Sequence, residues 1–268
     1  MKPIGSFGHP AMNMRKVVVI NFKGGVGKTT TSVNVAHGLA MAGNRVLLVD
    51  NDPQANSTFI FNKPYQYSLT DLFKNLIPVE RAIISVKPCL DLIPAAKSLS
   101  TINSWLIEKA IPQRARVLER ILAGVTGYDF IIVDTAPSFS LLNANAISFA
   151  SEAWVPVAME YLALANIKEL VHIFTRAETH LSKPIDIKYV IPYFVDLRNK
   201  KSHQILHMLG DIFGEALTNP IHTNVKISEA PFHFKTVLEY DPESRGAKDF
   251  QALIRRILQD NHQGAQAV

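Results

Sequence analysis

The sequence predicts an α/β protein built on a single doubly wound, mostly parallel sheet with helices on both faces. Three observations carry that prediction. Short apolar runs near 17–20, 45–50, 90–93, 130–134, 153–157 and 187–192 alternate with stretches of helical spacing, as strands joined through helical crossovers do. A glycine-rich turn, Lys23-Gly24-Gly25-Val26-Gly27-Lys28-Thr29-Thr30, joins the first run to the first helix. The 268 residues, 47% of them hydrophobic, suffice for one large core. One domain is expected over 15–260, after an extension, 1–14, that mixes Pro, Gly, Ser and Met without periodicity, and before a polar tail, 261–268.

Val17-Val18-Val19-Ile20 reads as a buried strand, and Thr29 to Ala42 carries apolar residues at helical spacing up to Gly43, a C-cap. The turn between them therefore delivers its ligand to a helix N-terminus. Gly24, Gly25 and Gly27 let the backbone curl so that N–H groups converge on phosphate oxygens, and the helix dipole favours the same charge. Lys28 supplies a cation for the β- and γ-phosphates, and Thr29 offers a hydroxyl to Mg²⁺. The residues from Lys23 to Thr30, Val26 included, are thus expected to line a nucleoside triphosphate.

The ordinary phosphate-loop pattern G-x-x-x-x-G-K-[ST] fails here, because Phe22 stands where its first glycine belongs. The variant K-G-G-x-G-K-[ST] fits instead, and it resembles the deviant Walker A loop of the ParA/MinD family of ATPases. That resemblance implies ATP with Mg²⁺ as ligand and a nucleotide-sandwich homodimer in which Lys23 reaches the phosphates of the partner subunit.

Metal and water need carboxylates at the carboxyl ends of neighbouring strands. Arg45 to Val49 reads as a second strand and runs into Asp50-Asn51-Asp52-Pro53-Gln54. Asp50 and Asp52 are two apart and share a face while the chain stays extended, and Pro53 stops the strand. Phe130-Ile131-Ile132-Val133 ends likewise in Asp134, followed by Thr135-Ala136-Pro137. The resemblance makes Asp134 and Thr29 the metal-holding residues, puts Asp50 near the metal's water shell, gives Asp52 the attacking water, and counts Lys23, Lys28 and Asp52 as catalytic. It also makes Thr135-Ala136-Pro137 a switch that senses the γ-phosphate. Farther on, Trp154-Val155-Pro156-Val157 and Glu160-Tyr161-Leu162-Ala163-Leu164 look like the family's P-x-x-x-E-Y-x-A-L segment, which lies near the dimer face there. Core packing is the simpler reading of its aromatic and aliphatic residues.

The last third resembles the ParA branch in Asp196-Leu197-Arg198, in Asn224 to Pro231, in Tyr240-Asp241-Pro242 and in Ser244-Arg245-Gly246-Ala247, so that the resemblance spans about 15–258. One departure stands out. Where the family reads I-P-R-N-V-R, this chain has Ile221-His222-Thr223-Asn224-Val225-Lys226, and the arginine credited with DNA contact is Thr223. Lys226 keeps the second cation, and Asn224 becomes a candidate contact for adenine. The formal net charge of +5 favours a polyanionic partner. Arg198, Lys200, Lys201, Lys226, Lys235, Arg245, Lys248, Arg255 and Arg256 gather in this third, where the resemblance places non-specific DNA binding. Lys226, Lys235 and Arg245 are its candidate contacts, reading phosphates rather than bases. The bland alternative is a set of solvated, unrelated lysines and arginines.

Other classes are disfavoured. No charged segment followed by a short apolar stretch marks a secretion signal, and no apolar run reaches the roughly 18 residues that cross a bilayer. Cys89 is the only cysteine, which fits a reducing cytoplasm, excludes an intramolecular disulfide and cannot supply the two cysteines per subunit of nitrogenase iron protein. Cys89 itself is expected to be a buried small residue. His203 and His207, four apart, are expected on a helix surface rather than on a metal. The terminal helix, with Phe250, Leu253, Ile254, Ile257 and Leu258 beside Arg255 and Arg256, is amphipathic, which keeps a MinD-like membrane switch as the alternative. Packing on the domain is the expectation, with no membrane contact. A kinase on the same loop, such as a bacterial tyrosine kinase, would favour a tyrosine-rich C-terminal cluster that this chain lacks. The resemblance as a whole implies a ParA-like ATPase, slow and stimulated by a ParB-like or cargo-adaptor partner, that segregates a plasmid or chromosome or positions a protein assembly, cytoplasmic and nucleoid-bound with ATP.

Overall fold

The computed structural model describes residues 14–160, 167–175 and 184–266, with side chains as far as 261. Eight strands form one sheet: β1 (Arg15–Val19), β2 (Val46–Asn51), β3 (Ile84–Lys87), β4 (Leu90–Ile93), β5 (Phe130–Thr135), β6 (Glu152–Ala158), β7 (Asp186–Val195) and β8 (Ile221–His222). Their order is β3-β4-β2-β5-β1-β6-β7-β8, and every neighbouring pair is parallel except β3 with β4. All six expected runs are strands. The central ones are buried along their whole length, as β2 and β5 are, which is why they read as continuous apolar runs rather than alternating ones.

Two strands escaped the sequence. β3 is an edge strand, Ile-Ser-Val-Lys, with only Val86 fully buried, and its polar residues blunt the edge while hiding the pattern. β8 has two residues, too few for any periodicity. The β3–β4 turn also corrects the expectation for Cys89: it is exposed, at φ +59, at the tip of a hairpin that the sequence did not reveal.

The two faces of the sheet follow the period of two. Val17, Val19, Val46, Leu48, Phe130, Ile132 and Trp154 pack under the helix Lys28–Met41 and the C-terminal helix Arg245–Gln266. Val18, Ile20, Leu47, Val49, Ile131, Val133 and Val155 face the opposite layer, which includes Leu142, Ala146 and Phe149 of the helix Leu141–Phe149. The C-terminal helix buries Phe250, Leu253, Ile254 and Ile257, as its amphipathic pattern predicted, and continues to Gln266. It crosses the helix Lys28–Met41 so closely that a Cβ added at Gly38 would lie 2.1 Å from the Ile254 Cδ1. The first helix stops as expected: Gly43, at φ +89, returns its N–H to the Ala40 carbonyl at 2.9 Å. His203 and His207 both lie on an exposed helix face, where His207 meets Asp211 at 3.0 Å.

Candidate nucleotide site

The parity of the strands decides which side chains meet at the carboxyl edge. Val46, Leu48 and Asp50 point to one face of β2, and Phe130, Ile132 and Asp134 to the same face of β5; Asp50 and Asp134 are register partners. β1 lies on the other flank of β5, pairing Val19 with Asp134, and leads directly into the Lys23–Thr30 turn. Both carboxylates therefore sit under the N-terminus of the helix Lys28–Met41, where phosphate charge would arrive. Asn51 and Thr135 take the opposite parity and bond elsewhere, to the Leu142 and Val19 carbonyls.

The loop is shaped as the glycines require. Gly25 (φ +71) and Gly27 (φ +93) occupy the left-handed region, and a Cβ on Gly27 would also lie 2.8 Å from the ring of Tyr193. Gly24 needs no such conformation; it faces Pro137, 3.9 Å from where its Cβ would be. Lys28 is buried and closes back on the loop, its Nζ donating to the Lys23 carbonyl at 2.9 Å. Burial pushes its ammonium down from the ordinary lysine value, while the charges of Asp134 and Asp52 act the other way.

Asp134 is fully buried and accepts from Ser32 Oγ at 2.9 Å and Ser57 Oγ at 2.8 Å, one on each oxygen. Asp50 accepts from the backbone N–H and the hydroxyl of Thr58, at 2.8 and 2.7 Å, and from the Asp52 N–H at 3.2 Å. Desolvation raises both carboxyls above the usual range; the Asp134 charge raises Asp50 further, and the hydroxyls of Ser57, Thr29 and Ser32 partly offset the effect on Asp134. Asp52, one position beyond the strand, is buried and accepts from the Gln54 N–H at 2.9 Å. Two buried carboxyls and a threonine hydroxyl form an all-oxygen donor set of the kind that suits Mg²⁺, which usually keeps waters and phosphate oxygens among its ligands. Among the described residues no group of three or more His, Cys, Asp or Glu could hold a metal ion.

The structure brings together Lys23 to Thr30, Asp50, Asp52 and Asp134. No hydrogen bond or ion pair among the described residues joins the remaining candidates to them. Asn224 follows β8, three strands from β1, and its Oδ1 caps the next helix by accepting from the Lys226 N–H at 2.9 Å. Lys226 pairs with Glu229 at 2.9 Å, and Lys235 and Arg245 are exposed. Among the other cations of the last third, Arg198, Lys248 and Arg256 are also ion-paired. At the departure from the family pattern, His222 fastens β8 to the C-terminal helix through Asp249, with Nδ1 at 2.9 Å, and Thr223 is exposed. Tyr161, Leu162, Ala163 and Leu164 lie outside the described residues. Glu160 does not, and it is ion-paired with Lys23. Sequence reasoning missed Ser32, Ser57 and Thr58 altogether, since hydroxyls beside an acid leave no distinctive spacing. It also gave Glu160 no role, although the glutamate stood in a motif already noticed.

The chain matches known proteins along most of its length. A model of the AAA domain family covers residues 14–187. The chromosome-partitioning ATPase Soj of Treponema pallidum is 33% identical over 248 residues, 91% of this chain and 97% of that protein. The chromosome partitioning protein ParA of Caulobacter vibrioides is 33% identical over 253 residues, 91% of this chain and 94% of its own. Among solved structures, cobyrinic acid a,c-diamide synthase from Mycobacterium smegmatis, with a bound ATP analogue and magnesium, superposes with a TM-score of 0.81 at 25% identity, covering 94% of this chain and 97% of that one. With its phosphate loop at the edge of a mostly parallel sheet and these relatives spanning nearly its whole length, the chain belongs to the ParA family of partition ATPases.

Proposed function

We propose that this chain positions cargo by an ATP cycle: ATP closes two copies into a sandwich dimer, the dimer binds DNA without sequence preference, and hydrolysis, accelerated by a ParB-like or cargo-adaptor partner, releases it. The observation that carries the reading is the contrast between the two loop lysines. Lys28 is turned into its own loop, whereas Lys23 stands at the mouth, its side chain about a third exposed and paired with the half-exposed Glu160. The contrast supports a reading in which one cation serves the phosphates bound by its own chain and the other serves those of a second copy.

Within each site, Lys28 balances the β- and γ-phosphate charge, and Thr29 and Asp134 hold the metal with Asp50 behind its water shell. Mg²⁺, when bound, neutralises charge that builds on the phosphates during transfer. Asp52, just beyond β2, orients water for attack. Asn224 contacts the base. Lys226, Lys235 and Arg245 meet DNA phosphates, so nucleoid association follows the ATP state, and the adaptor determines whether plasmid, chromosome or protein assembly is carried.

Burial in the C-terminal helix speaks for the DNA reading over the membrane alternative: Phe250, Leu253, Ile254 and Ile257 are buried, so inserting them in lipid would open the core. The experiment is DNA retention with Mg-ATP across a salt series. About six neutralised phosphates per dimer give a log–log slope of roughly −5 with little dependence on base sequence. No retention at low salt, together with ATP-dependent flotation on anionic vesicles, would transfer the role to a membrane.

A further inference from the structure

Three consecutive residues of the short helix Asn56–Phe61 link the nucleotide site to a surface outside it. Ser57 Oγ donates to Asp134 Oδ2 at 2.8 Å. Thr58 donates to Asp50 Oδ2 through its N–H at 2.8 Å and its hydroxyl at 2.7 Å, while its Oγ accepts the Ala95 N–H at 2.9 Å. Phe59, 56% exposed, holds its ring 5.3 Å from that of Phe234. Successive helical residues turn by about 100°, so one short helix presents its hydroxyls to the carboxylates and its aromatic ring to the outside.

What Phe59 touches is a distinctive turn. Phe234 sits at φ +53 just after the turn Ala230–His233, directly before the exposed Lys235, and Phe232 beside it is 82% exposed. Neither 53–70 nor 230–238 contains an Asp or Glu, and the acids that flank the second stretch, Glu229 and Glu239, are paired with Lys226 and Lys87, which leaves Lys235 exposed beside the aromatic rings of Phe232 and Phe234. An exposed lysine among aromatic rings suits contact with a polyanion.

We propose that the helix Asn56–Phe61 is a relay in which Ser57 and Thr58 position the metal-site carboxylates and Phe59 passes their state to the Phe234–Lys235 turn. The physical basis is that Asp50 and Asp134 are register partners and the same helix is bonded to both. If Asp134 turned to help hold a bound metal, its bond to Ser57 would weaken or redirect, and Thr58 anchors the helix so that the adjustment would appear at its outer face. A ligand moves such an element only by interacting differently with its two positions, and the Ser57–Asp134 bond is that difference. The consequence for DNA rests on the reading of Lys235 as a DNA contact; the relay itself does not.

The test is hydrogen exchange over 230–236 in the full chain, with and without Mg²⁺ and β,γ-imido-ATP. The parent should change its exchange there by about threefold or more on binding. Phe59→Ala should lose most of that response while keeping analogue affinity within about twofold. Ser57→Ala should lose it as well and Ser57→Thr, which restores a hydroxyl, should regain it. An unaltered response in Phe59→Ala, or a parent that binds the analogue without any change at 230–236, overturns the relay alone. A parent that does not bind the analogue overturns the nucleotide reading and the relay with it.

Discussion

Lys23 and Glu160 lie 137 positions apart in sequence and are ion-paired at the mouth of the nucleotide loop. The pair joins the loop after β1 to the end of β6, the strand beside it. Lys23 holds the glutamate below the usual carboxylate range, first through its hydrogen bond and then through its charge. If Lys23 acts on a second copy's phosphates, this contact must open first.

Glu160→Gln should therefore ease ATP-dependent dimerisation. An exposed pair is a weak competitor, so the ATP concentration that half-saturates the dimer should fall by no more than about fivefold. Sizing chromatography over an ATP titration measures it. A higher requirement would mean that Glu160 assists the closed state.

Lys28→Ala should lose ATP affinity by about ten- to a hundredfold, the cost of one charged hydrogen bond to phosphate, with the thermal midpoint of the free protein unchanged or raised. Burial already disfavours the Lys28 ammonium, so its removal relieves the nucleotide-free fold. Fluorescent-nucleotide titration and melting curves check both parts; undiminished affinity would remove Lys28 from the site.

The fold shows how much of this was legible. Strands buried on both faces announce themselves as apolar runs, and the acids that end them, Asp50 and Asp134, fall on one face because of the period of two. The loop glycines were legible because Gly25 and Gly27 need positive φ. Contacts made between distant segments were not. Glu160 could not be matched to Lys23, nor Ser57 to Asp134, without the parallel order of β2, β5, β1 and β6. Edge strands such as β3, half exposed and polar, resist detection for the same reason that they avoid aggregation.

His37 gives a pH dependence away from the phosphate chemistry. It is buried, bonded to Thr236 Oγ1 at 2.9 Å, with Glu239 and Lys87 as the charges facing it. Desolvation holds its imidazole below the ordinary value, with Lys87 acting the same way and Glu239 opposing. The folded state thus binds fewer protons than the unfolded one, and stability should decline as pH falls through about 6.5 toward the folded value. His37→Gln should flatten that acid limb in urea denaturation measured from about pH 7.5 to 5.5. The raised carboxyls of Asp50 and Asp134 act in the opposite sense over the same range and are present in both proteins, so the difference between the two profiles is the readout; a His37→Gln variant whose pH profile parallels the parent's would contradict the assignment.

On the DNA side, Arg245→Glu should weaken retention more than Lys226→Glu, because Glu229 already engages Lys226. The double variant should lose retention and still dimerise with ATP. Filter binding beside sedimentation separates the two; DNA binding that survives both changes would move the interface elsewhere.

The central claim is that Asp52 and Lys23 divide hydrolysis from closure at one site. Sedimentation velocity on Asp52→Ala, with and without Mg-ATP, tests it most directly. A stable doubling of mass with ATP and little turnover, abolished when Lys23→Gln is added, is the predicted result. A monomer under saturating ATP, or a dimer indifferent to Lys23, would contradict it.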